Sequence, residues 1–207
     1  MQYIEFKKKL NEYTIFSWQD IKKIDALFYR SRLNEWQDKG YIKKIRRGYY
    51  IFADQILNES VLFSIANKIY SPSYISFEMA LSNYGLIPES VYGITSATSN
   101  KTKRFKNEIG EFIYSHLKPE LIFGYKLESL GGTTFKIAEI EKAVLDFFYI
   151  NAHLKTEADF SELRINEEEF KIRVNGKKLM KYLDSFNNKS LEKRVKKFLK
   201  YINYVKT

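Results

Sequence analysis

The sequence predicts an α+β chain in two parts, and three observations carry that prediction. Apolar residues recur at helical spacing in the first forty positions and again after residue 139, so helices occupy both ends. Between Val91 and Ala138 the period shortens to that of strands, in the runs VYGITSAT, EFIYSHL, YKLESL and TTFKIA. A shorter pair of strand-like runs, Tyr41–Ile45 and Tyr49–Phe52, joins at Arg46-Arg47-Gly48, directly after a helical pattern closed by Gly40. The expected arrangement is an N-terminal unit over residues 1–57 and a C-terminal domain over 58–207. The second is built on a small, mainly antiparallel sheet covered by helices on one side.

The N-terminal elements follow in order. Residues 3–13 place Ile4, Phe6 and Leu10 close together on a short helix and leave Lys7 to Lys9 in solvent. Ser17 with Asp20 three positions on makes a capping box for a helix of about two turns from Trp18 to Lys23. Asp25 is then placed to cap a longer helix running to Lys39. Its spacing puts Tyr29, Leu33 and Trp36 on a buried face, and Phe28, Ser31, Arg32, Asn34 and Glu35 outward. A helix presenting polar residues, followed at once by a basic hairpin, is the layout of a winged helix-turn-helix and implies DNA binding. Between Ile21 and Tyr50 nine Lys/Arg face three Asp/Glu. The alternative is a small helical cap whose basic residues form only a solvated face.

Residues 53–59 form a short polar joint, which predicts that the two parts pack together rather than hang on a tether. Val61 to Tyr70 reads as an amphipathic helix ended before Pro72. Ser76 is expected to cap FEMALSNY, which Gly85 closes. Gly131-Gly132 signals a two-residue hairpin. In the helix EIEKAVLDFFYI, Ile140, Val144, Phe147 and Phe148 turn inward. Two helices finish the chain. The last carries a stripe of Leu191, Val195, Phe198, Ile202 and Val205, with Lys193, Arg194, Lys196, Lys197 and Lys200 around it. A helix lying on a membrane surface has the same pattern, but the preceding helix also needs cover, so packing on its own domain is expected.

Composition narrows the function. With no cysteine in 207 residues, disulfides and thiolate metal sites are excluded, and a reducing, cytoplasmic setting fits. No apolar run approaches the roughly 20 residues of a membrane span, so no membrane partner is expected. The net charge of +10 is clustered: residues 171–207 alone carry +10, residues 157–170 carry −5, and the region around the hairpin is also basic. Such clustering suits a polyanion partner, because Lys and Arg displace counterions from phosphates. Catalytic signals are poor. His116 and His153 have no His or Cys at ligand spacing, and no phosphate-binding Gly-rich loop or His-Glu-x-x-His occurs. There is also no Gly-Ser pair and no Asp-x-Asp, as a nucleotidyltransferase would need. We therefore expect no enzyme activity, no cofactor and no metal, and read Glu141, Lys142 and Asp146 as capping and pairing groups.

Three stretches, RLNEWQDKGYIKKIRRGYY (32–50), YISFEMALSNYGLIPE (74–89) and GGTTFKIAEIEKAVLDFFY (131–149), resemble the AbiEi-type proteins in kind and in order. These are antitoxins of type IV toxin–antitoxin systems and related transcriptional regulators. The likeness spans roughly residues 15–205, with isoleucine at position 140 where the family usually has proline. It implies an N-terminal winged helix that represses its own promoter. It also implies a C-terminal domain that opposes a nucleotidyltransferase-like toxin without a stable complex.

From the residues themselves, the expected partner is double-stranded operator DNA, an inverted repeat being the expected form. Phe28, Ser31 and Arg32 are the base readers: Arg can pair twice with a guanine edge, and Phe28 can meet a thymine methyl. Arg30, Lys43, Lys44, Arg46 and Arg47 would hold phosphates, or Arg47 the minor groove. Ser17, at a helix N-terminus, would donate to a phosphate. Lys193, Arg194, Lys196, Lys197 and Lys200 form a second basic surface that would extend the footprint. The reading from a different class is an interaction protein whose central domain binds a toxin or its substrate, with the winged helix as a packing element.

Overall fold

The computed structural model describes residues 1–88 and 93–203. Val91 and Tyr92, at the start of one expected strand, and Val205, at the end of the expected stripe, lie outside the described residues. The chain is α+β. Among the described residues it has ten α-helices, one three-stranded antiparallel sheet and one six-stranded mixed sheet.

The N-terminal elements are Tyr3–Leu10 (α1), Phe16–Ser17 (β1), Trp18–Ile24 (α2), Ser31–Asp38 (α3), Ile42–Arg46 (β2) and Tyr49–Phe52 (β3), with sheet order β1-β3-β2. Aromatic rings fill their core. Phe6 on α1 lies 4.7–6.0 Å from the rings of Phe16, Phe28, Trp36 and Phe52, within the range of favourable ring pairing. Gly40 (φ +68°) ends α3: its N–H donates to the Gln37 carbonyl and the Tyr41 N–H to that of Trp36, the pair of bonds that closes a helix on a left-handed residue.

The expected helix from Asp25 to Lys39 is shorter than its pattern suggested, because it begins only at Ser31. Asp25 Oδ1 accepts the Leu27 N–H at 3.0 Å, giving the backbone a local turn in place of a first helical bond. That turn swings Phe28 into the aromatic core, where 4% of it is exposed, and throws Tyr29 out to 75%. The two exchange the sides that continuous helical spacing had assigned them.

The larger part begins with Glu59–Ile69 (α4), Ser73–Ile75 (β4), Phe77–Asn83 (α5), Ile94–Thr98 (β5), Lys103–Asn107 (β6) and Gly110–His116 (β7). After a short 3-10 turn at Pro119–Leu121 come Tyr125–Leu130 (β8) and Thr133–Ala138 (β9). The helices Ile140–Ile150 (α6), Glu157–Glu162 (α7), Glu167–Arg173 (α8), Gly176–Ser185 (α9) and Lys189–Tyr201 (α10) finish it. Gly131 and Gly132, at φ +58° and +78°, form the expected two-residue turn between β8 and β9.

Strand order β6-β7-β5-β4-β9-β8 makes the sheet mixed: β5–β7 and β4–β9 are parallel, and the other three pairings are antiparallel. Two strands escape the sequence reading. β4 is three fully buried residues, too short to show an alternation. β6, KRFKN, looks like a turn because its charges lie in solvent at the sheet's edge. Helices cover both faces, not one. Tyr74 reaches α6 through Asp146, while its neighbour Ser73 faces α4, and adjacent strand residues point to opposite sides. The two parts touch extensively, with Ile15, Ile45 and Ile51 buried in the core of the larger one. No helix of the described residues is long and apolar enough to cross a membrane.

Candidate nucleic-acid interface

The capping box forms as expected: Ser17 Oγ accepts the Asp20 N–H, and Asp20 Oδ2 accepts the Ser17 N–H at 2.8 Å. The Ser17 hydroxyl also donates to Asp20 Oδ2 at 2.7 Å, so it is committed within the protein and is not a free phosphate donor. Burial alone would push the Asp20 carboxyl up. The bonds from Ser17 and the Lys68 ammonium 3.2 Å away outweigh it and hold the pKa below the ordinary value.

On α3, Leu33 and Trp36 are buried, while Ser31, Asn34 and Glu35 are exposed. Ser31 stands at the first helical position and is exposed. Arg32 is half-buried, and its guanidinium donates to the Met1 carbonyl at 2.6 Å. Arg30 is exposed, with its guanidinium 5.6 Å from the centre of the Trp18 ring. Glu35 is ion-paired with Lys39 at 2.6 Å, which keeps its carboxyl below the ordinary value and shields a charge that would oppose a polyanion. Phe28, expected to meet a thymine methyl, is in the core and cannot reach a base. Asn34, one turn beyond Ser31 on the same exposed side, is the polar side chain that the sequence reading placed outward but gave no role.

The hairpin separates its cations. A register shift between Lys44 and Arg46 marks a bulge at Ile45, which breaks the alternation of β2. Ile42 faces the N-terminal aromatic core, whereas Ile45 enters the core of the larger part. Arg46 follows it: the guanidinium donates to the Ile69 carbonyl and lies 4.4 Å and 5.3 Å from the rings of Phe105 and Tyr70. Arg46 is therefore a bolt between the two parts rather than a phosphate ligand. The side-chain amide of Asn107 donates to the Ile45 carbonyl at 3.0 Å and holds the same junction. Lys44 and Arg47 are exposed and Lys43 is half-buried.

Of the C-terminal basic stripe the fold buries Arg194 alone. Arg194 is 6% exposed and donates to the carbonyls of Phe148 and Asn151, at 2.6 and 3.1 Å, where α6 ends. A cation at that site satisfies carbonyls the helix leaves open and suits its dipole. It is no part of a DNA-facing surface. Lys196 pairs with Glu192, and Lys197 donates to the Lys155 carbonyl at 3.0 Å. Lys193, Lys196, Lys197 and Lys200 all remain exposed.

Two of the groups read as pairing residues, Lys142 and Asp146, form a sealed centre under the sheet, while Glu141 accepts the Asn175 N–H at 2.9 Å. Lys142 and Asp146, both with 0% of the side chain exposed, are ion-paired. Lys142 also donates to the Tyr74 hydroxyl at 2.9 Å, and Tyr74 and Ser76 donate to Asp146 Oδ2 at 2.9 and 2.8 Å. The rings of Phe123 and Phe186 lie 5.0 Å from the ammonium. Burial lowers the Lys142 pKa and raises that of Asp146, each partly offset by the other's charge. Ser76 occupies the cap position of α5 but makes no side-chain cap bond, because its hydroxyl serves Asp146. With both charged groups closed to solvent, this centre braces α5, α6 and the sheet and is not open to a substrate. Among the described residues no group of three or more His, Cys, Asp or Glu is placed to hold a metal. No protein-family model matches the chain, and none of the curated proteins matches it at a significant level.

Proposed function

We propose that the chain is a sequence-specific DNA-binding regulator that represses its own promoter, with residues 1–57 acting as a winged helix-turn-helix. One observation carries the reading: in a single small unit, a helix with a solvent-facing polar first turn precedes a hairpin whose Lys44 and Arg47 are exposed. In this reading α3 enters the major groove, with Ser31 and Asn34 on base edges, since Asn pairs twice with adenine. Arg32 joins them by exchanging the Met1 carbonyl for a guanine edge. Lys43, Lys44 and Arg47 hold phosphates, and Arg30 a flanking one. The resemblance to AbiEi-type antitoxins extends the proposal to a C-terminal domain that opposes a nucleotidyltransferase-like toxin without binding it stably.

The test is a titration of the full chain against DNA upstream of its own reading frame and against scrambled duplex, across a range of salt. Specific binding should exceed non-specific binding by about a thousandfold or more. Asn34→Ala or Arg32→Ala should cost about 1–3 kcal/mol at one base position and relax choice there. Equal affinity for both duplexes at every salt concentration would sink the proposal. A second reading has its own support: Arg46 is bound to the larger part, as expected if the hairpin is a packing element in an interaction protein. Stable co-purification with the product of a neighbouring gene, and no DNA shift, would favour it.

A further inference from the structure

The two edges of the six-stranded sheet differ in kind. β6 at one edge carries Lys103, Arg104 and Lys106, the charges that blunt an edge against another strand. β8 at the other edge has no strand on its outer side among the described residues. It exposes Leu127 to 68% and Leu130 to 61%. Such an edge is a template for a further strand, and its own sequence says which one.

We propose that β8 pairs antiparallel with β8 of a second copy of this chain, about a two-fold axis through Leu127. The phase of the backbone permits it. The Gly124 carbonyl accepts the Glu139 N–H at 2.8 Å, so in this ladder the backbone groups of 124, 126, 128 and 130 point to β9. Those of Tyr125, Leu127 and Ser129 therefore point outward and are available for about six new bonds across the axis. In that register Lys126 of each copy stands opposite Glu128 of the other, at a position without backbone bonds, where facing side chains come closest. Within one chain Lys126 and Glu128 already pair at 3.0 Å on one face of the strand, so the two-fold gives each ammonium a second carboxylate. A slip of two residues in the sum of paired positions sets Lys126 against Lys126 in one direction and Glu128 against Glu128 in the other. Both are unfavourable. Charge thus selects one register and one partner.

The inference does not depend on DNA binding, and its test uses none. Sedimentation equilibrium of the full chain, from micromolar to millimolar concentration, should show a reversible monomer–dimer equilibrium. A seam of one short strand lies at the small end of specific interfaces, so the association is weak. Lys126→Glu and Glu128→Lys each replace attraction by repulsion at both symmetric contacts and should weaken the dimer about tenfold. The double exchange should restore it. Because the chain has no cysteine, Leu127→Cys gives a second readout. Opposed residues in such a pair lie about 5.5 Å apart between Cα atoms, inside disulfide range. Mild oxidation should link that variant into a dimer and leave Lys126→Cys monomeric. A monomer at all concentrations, or a folded double exchange that stays as weak as the single ones, overturns the proposal.

Discussion

The hairpin Ile42–Phe52 and the final helix Lys189–Tyr201 look alike in the sequence, since each sets Lys and Arg among apolar positions. Their cations have different fates. On α10 the apolar stripe is driven against α6 and α7 and takes Arg194 with it, to the carbonyls at the end of α6; Lys197 reaches the Lys155 carbonyl and Lys196 pairs with Glu192 of its own helix, both still exposed. On the hairpin only Arg46 is drawn inward, by the bulge at Ile45, while Lys44 and Arg47 stand free in solvent. A count of charges therefore does not identify a polyanion surface. What matters is whether the backbone delivers each cation to an open carbonyl or to water.

Lys142 is the extreme of the inward class and gives the largest expected effect. Lys142→Met leaves the Asp146 carboxylate buried with only two hydroxyl donors, and stability should fall by about 3–5 kcal/mol in urea unfolding. Burial already raises the Asp146 pKa, and losing the ammonium raises it further. A raised carboxyl pKa favours the folded state below the unfolded value, and that advantage is lost as pH rises through the folded value. The defect of the variant should therefore shrink as pH falls. A defect that is constant with pH would mean the pair is not what Lys142 contributes.

Arg194→Ala comes next. It removes charge-assisted bonds to two carbonyls at the end of α6, each worth about 1.5–3 kcal/mol, and should lower the thermal midpoint while leaving DNA affinity unchanged. If it instead weakened DNA binding with stability intact, the hairpin and the helix would belong to one surface after all.

Ser17→Ala should cost about 1 kcal/mol through loss of the cap. Asp20 supplies a pH signature. Its carboxyl pKa is held down because the bonds from Ser17 and Lys68 outweigh burial. The stability it contributes is present above the unfolded carboxylate value and lost as pH falls through the depressed folded value. Without the Ser17 hydroxyl the folded value rises toward the unfolded one, so the stability that Asp20 loses on acidification should be smaller, as followed by circular dichroism against pH.

How much of this the sequence made legible depends on range. Short-range chemistry reads well: the Ser17–Asp20 box, the stop at Gly40, the turn at Gly131-Gly132 and the helices α6, α9 and α10 all rest on residues within five positions of one another, whereas the short helices α7 and α8 escaped. The failures are decisions made at a distance. Phe28 leaves the outward face because Phe6 and Trp36 offer it a ring-lined cavity, something that no window around residue 28 contains. Ser76 gives up its cap for a carboxylate 70 residues away. Arg46 and Arg194 look like surface cations until the carbonyls of Ile69 and Phe148 are brought to them. In the candidate interface, Ser31, Lys44 and Arg47 lie where the spacing put them, whereas Phe28 and Arg46 were lost to packing.

The smallest effects on stability give the sharpest test of the opening contrast. Lys44→Ala and Arg47→Ala remove exposed side chains, and unfolding free energy should move by no more than about 0.5 kcal/mol. If these residues touch phosphate, each substitution should reduce the slope of log affinity against log salt by about 0.9 and weaken specific and scrambled duplex alike. Lys193→Ala and Lys200→Ala, two of the exposed cations of the final helix, provide the matched control, because they remove the same charge from the same net +10. Were DNA attracted by overall charge alone, all four variants would change the slope equally. If geometry decides, the hairpin pair shifts it and the helix pair leaves it where it was.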